Sequence, residues 1–193
     1  GGFAIVSRDA DPNTPHNYVS RFQSDGTPTL APNADRPNLG RSSPPYYGRP
    51  LDSIDAFSDS RFVVSSSAFL NNDPGTTPLL HLFDQNGVLE GGPITVNFDP
   101  NFYMVGETQV HTGGGAGDLA VLTDDKFVLT YTRRISNAAD GFRLGFQIFD
   151  ANGNQSVQEI FLDENIGGFY AESKVTALGD GGFFLTYQVE EVP

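Results

Sequence analysis

The sequence predicts an all-β fold built from repeated four-stranded antiparallel units, in the manner of a β-propeller. Two observations predict it: a phrase that contains a shared Phe recurs four times, and an apolar strand that ends in a tight turn follows the first three copies. Repeats of this kind indicate solenoids, propellers or arrays, and no window shows helical periodicity. Successive copies of the shared Phe lie 59, 65 and 56 residues apart, at Phe3, Phe62, Phe127 and Phe183.

The first two strands of each unit are predicted on either side of the turn before the shared Phe. Residues 127–129 and 183–185 are continuous apolar runs, which favours strands buried on both faces. An Asp precedes the shared Phe by three residues and is expected to accept backbone hydrogen bonds within the turn. Repeated acids could also be metal ligands. The three residues are Asp59, Asp124 and Asp180.

The third and fourth strands are predicted on either side of a hairpin turn. Residues 142–148 are apolar at every second position, which predicts a strand with one buried face. Asp-Gly or Asn-Gly follows the third strand at residues 25–26, 86–87 and 152–153, and these pairs favour hairpin turns. Short apolar runs at 94–96 and 160–162 supply the fourth strand in two units.

The chain is predicted to be a single repeat domain. The extra length of its units over common blades of roughly 40–50 residues is expected in loops at 33–50 and 97–117. Because the chain begins inside one copy and ends inside another, about three units are expected to be part of a larger ring. A ring completed by pairing copies and a three-unit trefoil or prism are alternatives. The domain covers residues 1–193, with units near 1–52, 53–117 and 118–173 and a partial unit at 174–193.

Composition excludes several classes of function. The net charge of −13 and the pI near 4.3 argue against a nucleic-acid partner or an anionic membrane surface, both of which need basic protein surfaces. No apolar stretch approaches the roughly 18 residues of a membrane span, so no membrane insertion is expected. The chain has no Cys, which excludes a disulfide framework and thiol chemistry.

Two stretches carry a family resemblance. Residues 174–187 contain V-x-A-L-x-D-G-G-F, and residues 145–154 contain F-D-x-N-G-N. These motifs resemble the repeats of about 60 residues in large bacterial secreted proteins of the RTX, hemolysin-type calcium-binding and adhesin kind. The resemblance implies a β-propeller-like module at an extracellular or cell-surface location in a bacterium, in a Ca²⁺-rich setting, and it implies no reaction.

A candidate calcium site follows from alternating oxygen-bearing side chains. Asp9, Asp11 and Asn13 have the spacing at which successive side chains can turn toward a hard cation. A plain turn restricted by neighbouring prolines is the alternative. Ca²⁺ is the one cofactor expected. Residues 113–119 depart from the calcium nonapeptide of the RTX kind and are predicted to form a loop that leads into a strand.

A Pro-rich segment carries the candidate partner-binding residues. Arg and Tyr are enriched at binding hot spots, and loops on rigid β scaffolds commonly carry recognition. The alternative is a connector that wraps the edge of its unit. The candidate residues are Arg36, Arg41, Tyr46, Tyr47 and Arg49.

The sequence therefore predicts a non-catalytic extracellular module, not an enzyme, with a structural, adhesive or protein-interaction role and Ca²⁺ as a candidate stabiliser. It lacks G-x-S-x-G, H-E-x-x-H, a P-loop Lys and a Cys nucleophile. Its partner would be a protein or glycan surface, or neighbouring repeats of the same assembly. Two alternatives stay open: a carbohydrate-active propeller enzyme, whose carboxylate pair only geometry would reveal, and a subunit of a larger extracellular assembly.

Overall fold

The chain forms strands and turns throughout the part described by the computed structural model. That part comprises residues 2–8, 16–29, 38–41, 53–69, 76–96, 103–105, 108–110, 114–134, 142–162 and 171–189. Within these ranges no helix is long and apolar enough to cross a lipid bilayer.

The described residues form four antiparallel sheets that follow one another along the chain, with a short ribbon between the second and the third. Sheet I contains β1 (Gly2–Arg8), β2 (His16–Gln23) and β3 (Asn38–Arg41). Sheet II contains β4 (Ile54–Ala56), β5 (Phe62–Phe69), β6 (Thr76–Phe83) and β7 (Ile94–Thr95). The ribbon pairs β8 (Tyr103–Val105) with β9 (Thr108–Val110). Sheet III contains β10 (Gly114–Val121), β11 (Phe127–Arg134), β12 (Phe142–Phe149) and β13 (Gln155–Phe161), and sheet IV contains β14 (Ala171–Ala177) and β15 (Phe183–Val189).

The recurring Phe residues set the register inside each sheet. In sheets I, II and III the shared Phe lies directly opposite a Phe at or next to the end of the following strand, which is β2, β6 or β12. Such directly opposed pairs are the unit of sheet stabilisation, and the aromatic ones here stack. The centroid distances are 5.1 Å for Phe3 and Phe22, 4.8 Å for Phe62 and Phe83, and 5.2 Å for Phe127 and Phe149.

The Asp in the turn before the shared Phe accepts a backbone hydrogen bond in sheets II, III and IV, as predicted. Asp59 Oδ1 accepts the backbone N–H of Arg61 at 3.0 Å, and Asp180 Oδ1 accepts that of Gly182 at 3.0 Å. Asp124 Oδ1 accepts the backbone N–H of Lys126 at 3.3 Å. These Asp residues therefore shape turns, as the sequence predicted.

The hairpin turns after the third element are also as predicted. Gly87 and Gly153 adopt φ angles of 81° and 80°, which glycine reaches without steric cost. Asp150 Oδ1 accepts the backbone N–H groups of Asn152 and Asn154 at 2.9 and 2.8 Å. The hydrogen bond from the Asn154 side chain, followed by those from the backbone, holds the pKa of Asp150 below its usual range. Hairpin geometry accounts for this repeated motif.

The hydrophobic core lies between the sheets, which pack face to face. One cluster joins sheets I and II, a second joins sheets II and III, and a third joins sheets III and IV. The first includes Val19, Phe62, Val64 and Phe83; the second includes Val63, Leu80, Leu82, Phe127 and Leu129; the third includes Val128, Phe146 and Val175, with Phe183 packed against it.

This stacking explains which burial predictions hold. Residues 127–129 are fully buried on both faces, as predicted, because sheet III lies between two sheets. The same prediction was wrong for sheet IV, where the side chain of Phe184 is 66% exposed. Sheet IV has a described sheet on one side alone. Residues 142–148 were predicted to form a strand with one buried face. That prediction was wrong, because both faces are buried: Gln147 on one face is buried as well as Leu144 on the other.

The structure also corrects the predicted loops. β3 lies within residues 33–50, and the β8–β9 ribbon lies within residues 97–117. Gly114 onward belongs to β10 and is not a loop. The prediction of an all-β fold of four-stranded antiparallel units is confirmed by sheets II and III.

Candidate functional site on the first strands

The first strands of sheets II, III and IV carry polar side chains at one repeat position. Ser53, Asp118 and Lys174 each lie nine residues before the shared Phe of their unit. Ser53 directly precedes β4, whereas Asp118 lies in β10 and Lys174 in β14. Face-to-face packing of the sheets brings these three positions together, although they are far apart along the chain.

Asp118 is the centre of this group. Its Oδ1 accepts the hydroxyl of Ser53 at 2.5 Å, and its Oδ2 accepts the backbone N–H of Val175 at 3.1 Å. The ammonium of Lys174 forms an ion pair with Oδ2 at 3.7 Å. The Asp118 side chain is 13% exposed and that of Lys174 is 67% exposed. One carboxylate therefore joins three sheets and keeps a small opening to solvent.

A β-bulge positions Asp118. The register between β10 and β11 shifts between Ala116 and Leu119, so the backbone of residues 117–118 leaves the regular ladder. The hydroxyl of Thr130 accepts the N–H of Asp118 at 2.8 Å and lies 3.0 Å from its carbonyl oxygen. Bulges re-aim side chains in this way and are frequent beside active sites.

Gly117 permits this bulge. A Cβ at position 117 would lie 2.5 Å from the hydroxyl oxygens of Thr130 and Ser173, and 2.9 Å from the carbonyl oxygen of Thr130. These two hydroxyls lie 2.7 Å apart, which forms another polar link between sheets III and IV. Any side chain at position 117 would separate the hydroxyls and move Asp118.

The same arrangement joins sheets II and III. The Ser53 hydroxyl accepts the N–H of Leu119 at 3.2 Å while it donates to Asp118. Asp55 Oδ2 accepts the N–H of Val121 at 2.7 Å. Hydrogen bonds from side chain to backbone thus fasten each of these first strands to the next, and carboxylates, hydroxyls and an ammonium group line this junction.

The chemistry available at this junction is hydrogen bonding to polar ligands and proton transfer. Carboxylates accept hydrogen bonds and can exchange a proton with a reacting group, and the Lys174 ammonium donates. Hydrogen bonds from the Ser53 hydroxyl and the Val175 N–H fix the orientation of the Asp118 carboxylate. Orientation of this kind is what a reactive carboxylate requires.

A buried Ser–His pair lies apart from this junction. The hydroxyl of Ser66 lies 2.9 Å from Nε2 of His81, and both residues are buried. Burial lowers the pKa of His81 to about 4, so its imidazole is neutral near pH 7. Neither side chain is reachable from solvent, and the pair belongs to the core between sheets I and II.

Most of the site residues predicted from sequence lie outside the described residues. This holds for the calcium candidates Asp9, Asp11 and Asn13, and for the partner-binding candidates Arg36, Tyr46, Tyr47 and Arg49. Arg41 ends β3, where its backbone pairs with that of His16. Over the described ranges no group of three or more His, Asp or Glu side chains is placed to hold a metal ion. These predictions stay predictions.

Sequence reasoning missed Ser53, Asp118 and Lys174 as a group. The available signal was that one repeat position is polar in all three copies, directly before an apolar residue in each case. The three residue types differ, however, so the position forms no recognisable sequence motif. Only the packing of the sheets shows that the three side chains meet.

Known proteins resemble this chain in structure and not in sequence. No protein-family model and no curated protein matches it. Among solved structures it is similar to an endo-arabinase from Bacteroides thetaiotaomicron, with a TM-score of 0.53 and 14% identity, over 97% of this chain and 66% of that chain. It is also similar to an exo-1,5-alpha-L-arabinanase from a bovine ruminal metagenomic library, with a TM-score of 0.42 and 10% identity, over 93% and 62%.

The first of these likenesses shows the fold. With the stacked four-stranded sheets, it confirms the predicted β-propeller-like architecture. The chain spans slightly less than two thirds of the endo-arabinase chain that it matches.

This finding corrects two sequence-based predictions. The predictions of a non-catalytic module and of no enzyme activity were wrong, because the solved propeller that the chain resembles is named as an enzyme. They rested on missing catalytic motifs and on loops that vary between units. Neither observation excludes carboxylate chemistry, since paired carboxylates are defined by their distance in space and have no fixed sequence spacing.

Proposed function

We propose that this chain is part of a carbohydrate-active β-propeller enzyme that hydrolyses a polysaccharide, with arabinan as the first substrate to test. The observation that carries the proposal is the position of Asp118, which lies where the first strands of three sheets meet and is fixed by Ser53 and Val175. The endo-arabinase title names the substrate class that is worth testing first.

Glycoside hydrolysis requires two carboxyl groups that flank the scissile bond. We propose Asp118 as one of them, because it combines fixed orientation with a small exposed area. Asp55 on β4 is a second carboxylate at this junction, and it is held by the N–H of Val121. The exposed ammonium of Lys174 would donate hydrogen bonds to sugar hydroxyls beside Asp118.

The test compares wild-type protein with Asp118→Asn on arabinan and on a panel of unrelated polysaccharides, with release of reducing ends as the readout. We expect wild-type turnover and a loss of roughly 100-fold or more in the variant. Asp125→Asn is the matched control, since Asp125 also joins two sheets by accepting the N–H and hydroxyl of Ser58, at 2.8 and 2.6 Å. The control should keep its activity.

The proposal fails if wild-type protein turns over none of these polysaccharides. Equal activity of wild type and Asp118→Asn would reject the role of Asp118 and leave the activity to be assigned elsewhere. Thermal unfolding of each variant separates loss of chemistry from loss of structure.

An extracellular or cell-surface location in a bacterium is part of the proposal, because polysaccharides are too large to cross a membrane unaided. Calcium binding at Asp9, Asp11 and Asn13 is proposed separately. A ligand that binds only the folded state raises its stability, by about 2.7 kcal/mol at a hundredfold excess over the dissociation constant. Melting in EDTA and in millimolar Ca²⁺, with Mg²⁺ as control, tests it, and equal melting temperatures would reject it.

A further inference from the structure

Asn-Gly pairs occupy the same repeat position in the hairpin turns of sheets II and III. They are Asn86-Gly87 and Asn152-Gly153. Both Asn side chains are exposed, and both Gly residues adopt a positive φ. Because Gly has no side chain to shield its backbone nitrogen, that nitrogen can attack the side-chain carbonyl carbon of a preceding Asn. The two turns can therefore be compared by how firmly each Asn side chain is held.

In sheet II the turn holds the side chain of Asn86. Its amide nitrogen donates to Asp84 Oδ2 at 3.3 Å. The residue four positions after Asp84 is Val88, which has no side-chain donor that could compete for this oxygen. Any movement of the Asn86 side chain toward the Gly87 nitrogen therefore costs a hydrogen bond.

In sheet III another residue makes the equivalent contact. Asn154 lies four positions after Asp150, and its side-chain amide donates to Asp150 Oδ2 at 2.9 Å. The backbone N–H of Asn152 donates to Asp150 Oδ1, but its side chain has no hydrogen-bond partner among the described residues. The Asn152 side chain is therefore free to turn toward the Gly153 nitrogen.

We propose that Asn152 is a site of spontaneous deamidation and that it reacts faster than Asn86. The Gly153 nitrogen bonds to Cγ of Asn152, the Cγ–Nδ2 bond breaks, and the proton of the Gly153 N–H leaves with the amide nitrogen as ammonia. Water then opens the cyclic imide. Opening at Cγ leaves an aspartyl residue, and opening at the backbone carbonyl leaves an isoaspartyl residue, whose main chain is longer by a methylene group. Water is the only co-reactant, and no group is oxidised or reduced.

The packing of Gly153 gives this modification a structural consequence. Gly153 is buried, and a Cβ at its position would overlap the side chain of Ile94 in sheet II. A longer main chain at residue 152 would push the turn into this contact and loosen the junction of sheets II and III. At Gly87 the nearest atom to such a Cβ would be Cδ of Arg21, at 3.8 Å. None of these residues lies at the Asp118 junction, so the inference is independent of the proposed activity.

The first test compares the two sites within wild-type protein. The protein is incubated at mildly alkaline pH, and peptide mapping by mass spectrometry follows the replacement of NH2 by OH at each Asn. We expect Asn152 to react faster than Asn86 by roughly fivefold, the ratio that corresponds to a hydrogen bond of ordinary net strength. Equal rates, faster reaction at Asn86, or no reaction at either Asn would overturn the proposal.

The second test exchanges the residues that differ between the two turns. Asn154→Val frees the Asp carboxylate of its turn to hold the Asn152 amide, so deamidation at Asn152 should slow. Val88→Asn supplies a competing donor in the other turn, so deamidation at Asn86 should accelerate. Rates that stay unchanged in both variants would show that the side-chain contact does not select the site.

The structural consequence is tested by thermal unfolding after the same incubation. The melting temperature of wild-type protein should fall as the isoaspartyl content at residue 152 rises. Asn152→Gln is the control, since its longer side chain would have to close a larger ring and reacts far more slowly. It should keep its melting temperature. A wild-type melting temperature that is unchanged after extensive modification would reject the loosening of the junction.

Discussion

The inner sheets II and III and the outer sheets I and IV are built from the same repeated phrase, yet their burial differs. Phe127 in sheet III is fully buried, whereas its equivalent Phe3 in sheet I is half exposed. Val128 is fully buried, whereas its equivalent Phe184 is largely exposed. The difference teaches that a residue in this repeat is buried by the neighbouring sheet and only weakly by its own strand.

Hydrogen bonds between sheets also distinguish the inner sheets from the outer ones. Sheet III is fastened on one side by Asp55 to Val121 and on the other by Asp118 to Val175. The candidate site arises where these two junctions meet. Its most central carboxylate therefore lies in a sheet that has neighbours on both sides.

The largest expected effect compares Phe127→Ala with Phe3→Ala. Phe127 stacks on Phe149 and makes an edge contact with Phe57 at a centroid distance of 6.0 Å, so its removal leaves a cavity. We expect the free energy of unfolding to fall by about 3–5 kcal/mol for Phe127→Ala. For Phe3→Ala we expect about 1 kcal/mol, because less apolar area is buried. Urea denaturation measures both, and equal losses would break the comparison.

The next effect tests whether sheet I seals the face of sheet II that carries His81. The pKa of His81 is lowered from 6.5 to about 4 by burial, so the unfolded chain binds a proton that the folded chain excludes. Stability should fall as pH drops from about 6.5 to about 4, by an amount on the order of 3 kcal/mol. Denaturation at a series of pH values measures the slope.

His81→Gln is the control for this slope, since it removes the titrating group. Carboxyls with lowered pKa, such as Asp150, lose their contribution only at lower pH. A slope that persists unchanged in His81→Gln would show that His81 is hydrated and that sheet I does not seal this face.

A smaller effect is expected from Gly117→Ala at the junction of sheets III and IV. The added Cβ would crowd the hydroxyls of Thr130 and Ser173. We expect a loss of about 1–3 kcal/mol in unfolding free energy. Gly179→Ala is the control, because a Cβ there meets nothing within 4 Å and the backbone conformation is open to alanine. Similar melting temperatures for the two variants would show that the junction is looser than described.

The smallest loss of stability is expected when an Asp is removed from a hairpin turn, and we compare one turn of an inner sheet with one of an outer sheet. Asp150→Ala in sheet III removes an acceptor of two backbone N–H groups and of the Asn154 side-chain amide at 2.9 Å. Because the turn is largely open to water, we expect a loss of below about 1 kcal/mol. Asp25→Ala in sheet I should change the melting temperature less, since Asp25 accepts the backbone N–H of Thr27 in an exposed turn. A larger shift for Asp25→Ala would contradict the order.

The sequence predicted local structure well and burial in part. Asp59 opens a turn and Gly87 supplies a positive φ because both effects are local to a few residues. Period-two alternation in β12 suggested one buried face, yet Gln147 is buried because sheet III has a neighbour on that side too. Periodicity reports polarity along one strand and carries no information about a second sheet.

The candidate site shows the same limit. Asp118 was visible as the start of a repeated phrase, and nothing local distinguished it from the other acids. Its partners Ser53 and Val175 lie 65 and 57 positions away in the chain. Only contacts between sheets select it.

The sequence by itself determined the repeat, the all-β architecture, the antiparallel strands and the turn residues, because these depend on backbone preferences and side-chain alternation over short stretches. The tertiary structure alone decided which faces are covered and which polar side chains meet. Burial and hydrogen bonding between sheets depend on surfaces that come from distant parts of the chain. For that reason Phe127 and Phe3, which hold the same place in the repeat, have different surroundings.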